Sequence, residues 1–183
     1  MAYDKEEQQV YLKEYGEAYL LYSIYKSLCE NYEQALIYSK GYLNAFPDDP
    51  EGIYNYGVIN YFLQNSDKAL SSLLKVSKIS TDKNLLKCTY YYIALVSKEF
   101  NQDQAIIDFC EKALEIDKLM YECYLELAYI DFKKGEYLDA IKNITKCIQS
   151  LRKKNPNILN IALPYLNKIN SHLDILKTNA RIK

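Results

Sequence analysis

Bulky apolar side chains recur along this chain at helical spacing, and short polar stretches interrupt them at regular intervals. Four pairs of a large residue followed by a small one stand out: Tyr22-Ser23, Tyr56-Gly57, Ile93-Ala94 and Leu127-Ala128. The small members are 34, 37 and 34 residues apart, and three positions before each large member stands another, Tyr19, Ile53, Tyr90 or Tyr124. A second small series follows 12 residues later at Ala35, Ala69 and Ala140, while the third copy has Ile106 at that offset and Ala105 beside it. Two antiparallel helices approach closely only where small side chains let a ridge of one enter a groove of the other. The two series therefore mark helix crossings, and their common period marks an array of repeats.

Polar turns separate the two members of each copy: Glu30-Asn31, Gln64-Asn65-Ser66-Asp67, Phe100-Asn101-Gln102-Asp103 and Lys134-Gly135-Glu136. Asp49-Pro50 is a helix start, with a carboxylate at the N-cap and proline at the first helical position. The expected units are residues 16–49, 50–83, 87–120 and 121–154, with about three residues inserted near Ser80 to Leu86 and with residues 5–15 extending the first helix. Residues 157–178 should form a terminal helix that shields the last repeat, as repeat stacks require. Its Leu159, Ala162, Leu166, Ile169, Leu173 and Leu176 alternate spacings of three and four and so share one face, with Pro164 as a kink or restart. Self-association through that face is the competing use.

The fourth copy, Tyr124-Leu-Glu-Leu-Ala-Tyr-Ile-Asp-Phe-Lys-Lys-Gly-Glu-Tyr-Leu-Asp-Ala140-Ile, resembles the tetratricopeptide-repeat family, and Glu111-Lys-Ala-Leu-Glu-Ile-Asp117 looks like the family's usual ending of a second helix. Tyr or Ile replaces the expected Trp, and only the first copy has a closing Pro. The resemblance implies an all-α, right-handed α-solenoid of about four helix-turn-helix units with a C-terminal capping helix, forming one domain over residues 1–183. It also implies a concave groove lined by the first helices. Carried over position by position, the lining is Leu20, Ile24 and Ser27; Tyr54, Val58, Tyr61 and Phe62; Tyr91, Leu95 and Lys98; and Leu125, Tyr129, Phe132 and Lys133. That lining is mostly apolar and aromatic, so the expected ligand is an apolar or amphipathic peptide segment of another protein. Members that clamp acidic chaperone tails use groove Lys, Arg and Asn, where Leu20, Ile24, Val58 and Leu95 stand here.

Composition narrows the function further. The apolar fraction of 49%, with only 5 Gly and 4 Pro, suits a packed helical protein. A net charge of −1 argues against nucleic acid as a partner. The charge is uneven: residues 1–150 hold 16 Lys and Arg against 23 Asp and Glu, and residues 151–183 hold 7 against 1. No run approaches the length of a membrane span and the N-terminus lacks the pattern of a signal peptide, so a cytoplasmic protein is expected. The five cysteines, 29, 88, 110, 123 and 147, have no C-x-x-C spacing and suit a reducing compartment better than a disulfide or zinc framework.

Catalysis needs an acid or base, a nucleophile or a metal with coordinated neighbours. The single histidine, His172, lies in the polar stretch Asn170-Ser171-His172, and no glycine-rich phosphate loop occurs. Neither enzyme chemistry nor a cofactor nor a metal is expected. The reading is an interaction adaptor or scaffold. Its alternatives are a tetratricopeptide-type chaperone for a secreted client and a regulatory subunit of an enzyme or signalling complex.

Overall fold

The computed structural model describes the backbone of residues 5–154 and the side chains of residues 15–154. Among the described residues all regular structure is helical: α1 (Lys5–Leu28), α2 (Tyr32–Ala45), α3 (Pro50–Phe62), α4 (Ser66–Ile79), α5 (Lys83–Glu99), α6 (Asp103–Ile116), α7 (Tyr121–Lys134) and α8 (Tyr137–Lys154). The expected capping helix at 157–178, and with it His172 and the basic end of the chain, lies outside the described residues. The chain divides into two compact units, one carrying α1–α6 and ending at Asp117, the other beginning at Lys118 and carrying α7 and α8.

In the first unit α1 pairs with α2, α3 with α4 and α5 with α6, while α2 packs on α3 and α4 on α5. In the second, α7 pairs with α8. The small residues sit at these crossings: Ser23, Gly57, Ala94 and Ala128 are all buried, as are Ala35, Ala69, Ile106 and Ala140. In the third copy the buried position is held by Ile106, while Ala105 is only half-buried. A Cβ on Gly57 would lie 3.0 Å from Leu73 Cγ, so this glycine sets how near α3 and α4 approach. The insertion near residue 80 is absorbed as extra helix, since α5 has 17 residues where α3 has 13.

Every hairpin turn uses the same backbone device. A residue just past the first helix is left-handed: Glu30 (φ 57°), Gln64 (φ 58°) and Asn101 (φ 54°) two positions beyond its end and Gly135 (φ 81°) directly after it. The next N–H then bonds a carbonyl five residues back, as Asn31 N to Lys26 O, Asn65 N to Asn60 O, Gln102 N to Ser97 O and Glu136 N to Asp131 O. This closure satisfies the last carbonyls of one helix while the following residue already starts the next, which keeps the turn short. Glycine fits the left-handed position without a Cβ penalty, yet three of the four turns use another residue. Gln64→Gly should therefore raise stability by up to about 1 kcal/mol, read as a higher urea midpoint with unchanged slope.

Helix starts are capped as the sequence suggests. Asp49 Oδ2 accepts from Gly52 N at 2.7 Å and also from the Tyr42 hydroxyl at 3.0 Å, so one carboxylate starts α3 and ties it to α2. Asn31 and Asp82 cap α2 and α5 in the same way. Ser23, chosen for its size at the crossing, also does polar work: its Oγ donates to Ala35 O (2.9 Å) and accepts from Asn55 Nδ2 (2.7 Å), joining α1, α2 and α3. A half-buried ion pair, Lys87 Nζ to Asp117 Oδ2 at 3.0 Å, links the start of α5 to the end of α6.

Candidate peptide-binding face

Because α3 touches both α1 and α5, the first helices of the three repeats in the first unit lie side by side and present one continuous face. On α1, Leu20 and Ile24 are half-buried, and Ser27 turns its Oγ back to Ser23 O (3.0 Å). On α3, Tyr54, Val58 and Tyr61 are half-buried and pack against the core cluster of Ala69, Leu73, Ile93 and Val96. These three therefore divide their surface between the core and the face. Phe62 stands further out at 44% exposure. On α5, Tyr91 and Leu95 are half-buried and Lys98 is exposed.

Six rings form a connected cluster here. Tyr92 meets Tyr54, Tyr61 and Phe62 edge-on with centroids 6.0, 5.7 and 6.4 Å away, and Tyr91 at 5.8 Å. Phe62 lies flat on Tyr32, 4.6 Å between centroids and 7° between planes. Such contacts add to the burial of each ring and favour defined ring-to-ring geometries. Tyr92 and Tyr32 are absent from the sequence-derived lining. The signal for Tyr92 was the run Tyr90-Tyr91-Tyr92, whose rings must fan out by about 100° per residue, so that one joins the neighbouring repeat. Tyr32 belongs to the first turn of a second helix, which position-by-position transfer onto first helices does not reach.

In the second unit Leu125, Tyr129 and Phe132 are exposed on α7, spaced four and three apart and hence in one stripe, with Lys133 beside them. Phe132 meets Tyr137 of α8 edge-on at 5.7 Å.

Burial raises the Tyr54 hydroxyl well above its usual range, with Cys88 and Tyr92 adding to it, and raises Tyr92 for the same leading reason, with Tyr61 and Cys88 contributing. Both therefore stay neutral on the folded protein after they would ionise in the unfolded chain, near pH 10.0. Above that pH the folded state binds more protons than the unfolded one, so stability falls as pH rises. Urea midpoints should drop between pH 8 and pH 11 (a range about the ordinary tyrosine pKa), and less steeply in Tyr92→Phe.

Among the described residues no group of three His, Cys, Asp or Glu could hold a metal ion, and no helix is long and apolar enough to cross a membrane. Cys110, Cys123 and Cys147 are buried, Cys88 is half-buried and Cys29 is exposed. Burial, with Glu122 next, pushes the Cys147 thiol up, away from thiolate reactivity.

No family model matches the sequence, and no curated protein matches it. Solved structures do match in shape. A crystal structure of MamA is 17% identical with a TM-score of 0.68, over 84% of this chain and 98% of that one. YrrB, a tetratricopeptide protein with an unusual peptide-binding site, is 14% identical with a TM-score of 0.61, over 85% of this chain and 78% of that one. The Cut9-Hcn1 structure of the APC/C matches 75% of this chain and 26% of its own, at 13% identity and a TM-score of 0.67. Identities this low bear on architecture alone, and with the four-fold helix-turn-helix pattern they establish that this chain has the tetratricopeptide-repeat fold.

Proposed function

We propose that this protein is an interaction scaffold that binds a peptide segment of a partner protein on the aromatic face of its first helices. The observation that carries this reading is the ring cluster of Tyr32, Tyr54, Tyr61, Phe62, Tyr91 and Tyr92, a partly exposed aromatic surface across the first helices α3 and α5 and the start of α2. Rigid aromatic anchors give large contact area at low entropic cost and dominate the energetics of interfaces. The stripe of Leu125, Tyr129 and Phe132 offers a second patch of the same character. That YrrB, similar in fold, has a peptide-binding site supports the same use here.

The face selects by chemistry. Leu20, Ile24, Val58 and Leu95 supply no donors or charge, so an apolar or amphipathic segment gains by docking, whereas an acidic tail would be desolvated over most of the face with Lys98 as the one cation of the first unit's lining. Catalysis has no part in this reading, and any turnover associated with the protein belongs to what it binds. The test is retention of native-lysate proteins by the wild type and by Phe62→Ala with Leu125→Ala, both folded by circular dichroism. Proteins held by the wild type and lost by the variant support the reading; identical retention by both removes it.

A further inference from the structure

The first repeat leaves bare a helix face that the peptide-binding reading does not use. On α1 the residues turned toward the repeat core are Gly16, Ser23 and Ser27. Roughly half a turn away, at 100° per residue, lie Ala18, Leu21, Tyr22, Tyr25, Leu28 and Cys29. All six are exposed, Leu21 by 68%, Tyr25 by 56% and Leu28 by 80%. Tyr15, Ala18, Tyr22, Tyr25 and Cys29 follow spacings of three and four, the seam pattern of paired helices, and Leu21 and Leu28 flank that seam. Aromatic and aliphatic side chains gathered in one exposed stripe mark an interaction surface.

We propose that a second copy of the chain covers this face, pairing α1 with α1 of the partner copy antiparallel about a two-fold axis between residues 21 and 22. Two features support that occupant. The exposed parts of Tyr15, Leu21, Tyr22, Tyr25 and Leu28 amount to roughly 600 Å² of apolar side chain, taking about 200 Å² for a whole one. A symmetric pair would therefore bury roughly 1,200 Å², the lower end of stable interfaces. Charge permits it: residues 18–25 carry none, and the axis lies at the middle of that stretch, so the two uncharged stretches lie on each other.

Sedimentation equilibrium of the full chain in the micromolar range tests this. The wild type should dimerise, and Leu21→Glu with Leu28→Glu, exposed positions whose change leaves the fold intact by circular dichroism, should weaken the dimer at least tenfold. Cross-linking gives an independent reading. Oxidation should couple Tyr22→Cys chains near the axis, while the native Cys29 residues, roughly 22 Å apart along the helices in this arrangement, should not couple. A monomeric wild type overturns the proposal, as does Cys29 cross-linking. A dimer indifferent to the Leu21 and Leu28 changes also overturns it and would move association elsewhere on the chain. None of these outcomes touches the aromatic face on α3 and α5, so the two proposals fail separately.

Discussion

Leu73→Ala is expected to destabilise the first unit by about 3 to 4 kcal/mol, the range found when a fully buried leucine is cut back to alanine. Leu73 is 0% exposed and packs with Ala69, Ile93 and Val96, so its side chain is shared by α4 and α5 of adjacent repeats. The site cannot collapse cheaply, because its neighbour across the α3–α4 crossing is Gly57, which has no side chain to move into the void. The same geometry predicts a coupling. In the wild type Gly57→Ala gains helix propensity, about 1 kcal/mol, but sets its Cβ 3.0 Å from Leu73 Cγ. In the Leu73→Ala background that contact is gone, and the added methyl also fills part of the cavity. Gly57→Ala should therefore stabilise the Leu73→Ala variant by more than it stabilises the wild type, and a double-mutant cycle in urea followed by circular dichroism measures the difference. Additive effects would mean that α3 and α4 shift apart freely and that the glycine does not set their approach.

The repeat was legible because it is written in size. A crossing tolerates only small side chains, so Ser23, Gly57, Ala94 and Ala128 had to recur, and their period could be read without any structure. Helix starts were legible where a carboxylate meets a proline, as at Asp49-Pro50, since that pair has a strong local preference. Turn conformation was not at Glu30 and Gln64, which adopt left-handed backbone that side chains of their kind seldom take; the closing hydrogen bonds, not the residue types, hold them there. The second role of Ser23 was hidden for a related reason. Its partner Asn55 lies 32 positions away, and only the packing of α1 on α3 brings them together.

The proposed binding face was legible in outline only. Transfer by position names Tyr54, Tyr61, Phe62 and Tyr91, but it cannot say which ring leans into the core and which outward, since adjacent helical positions differ by about 100° and the neighbouring repeat decides. Tyr92, the hub of the cluster, was hidden by that same ambiguity within a run of three tyrosines. Tyr32 enters from a different helix altogether.

That division between inward and outward rings leads to the most informative substitution for function. Phe62→Ala should weaken binding of the partner segment at least tenfold, about 1.4 kcal/mol, while costing less stability than truncation of a more buried ring does, because 44% of Phe62 is exposed. Phe62 is exposed and stacks on Tyr32, so its loss removes contact area from the ligand side and leaves the Leu73 core intact. Tyr54→Ala should behave in the opposite way. Tyr54 packs on that core and against Tyr92, so truncation opens a cavity and costs several kcal/mol of stability by the reasoning that applies to other buried aromatics. Any binding lost with Tyr54 is thus confounded with unfolding, whereas binding lost with Phe62 is not. Calorimetric titration of a retained partner segment into the wild type, Phe62→Ala and Phe62→Leu separates ring contact from mere bulk, because leucine restores apolar volume without a flat surface. If Phe62→Ala binds as tightly as the wild type, the ligand does not touch the ring cluster. The aromatic contacts would then serve only to hold successive repeats together, and the stripe of Leu125, Tyr129 and Phe132 would be the face to test next.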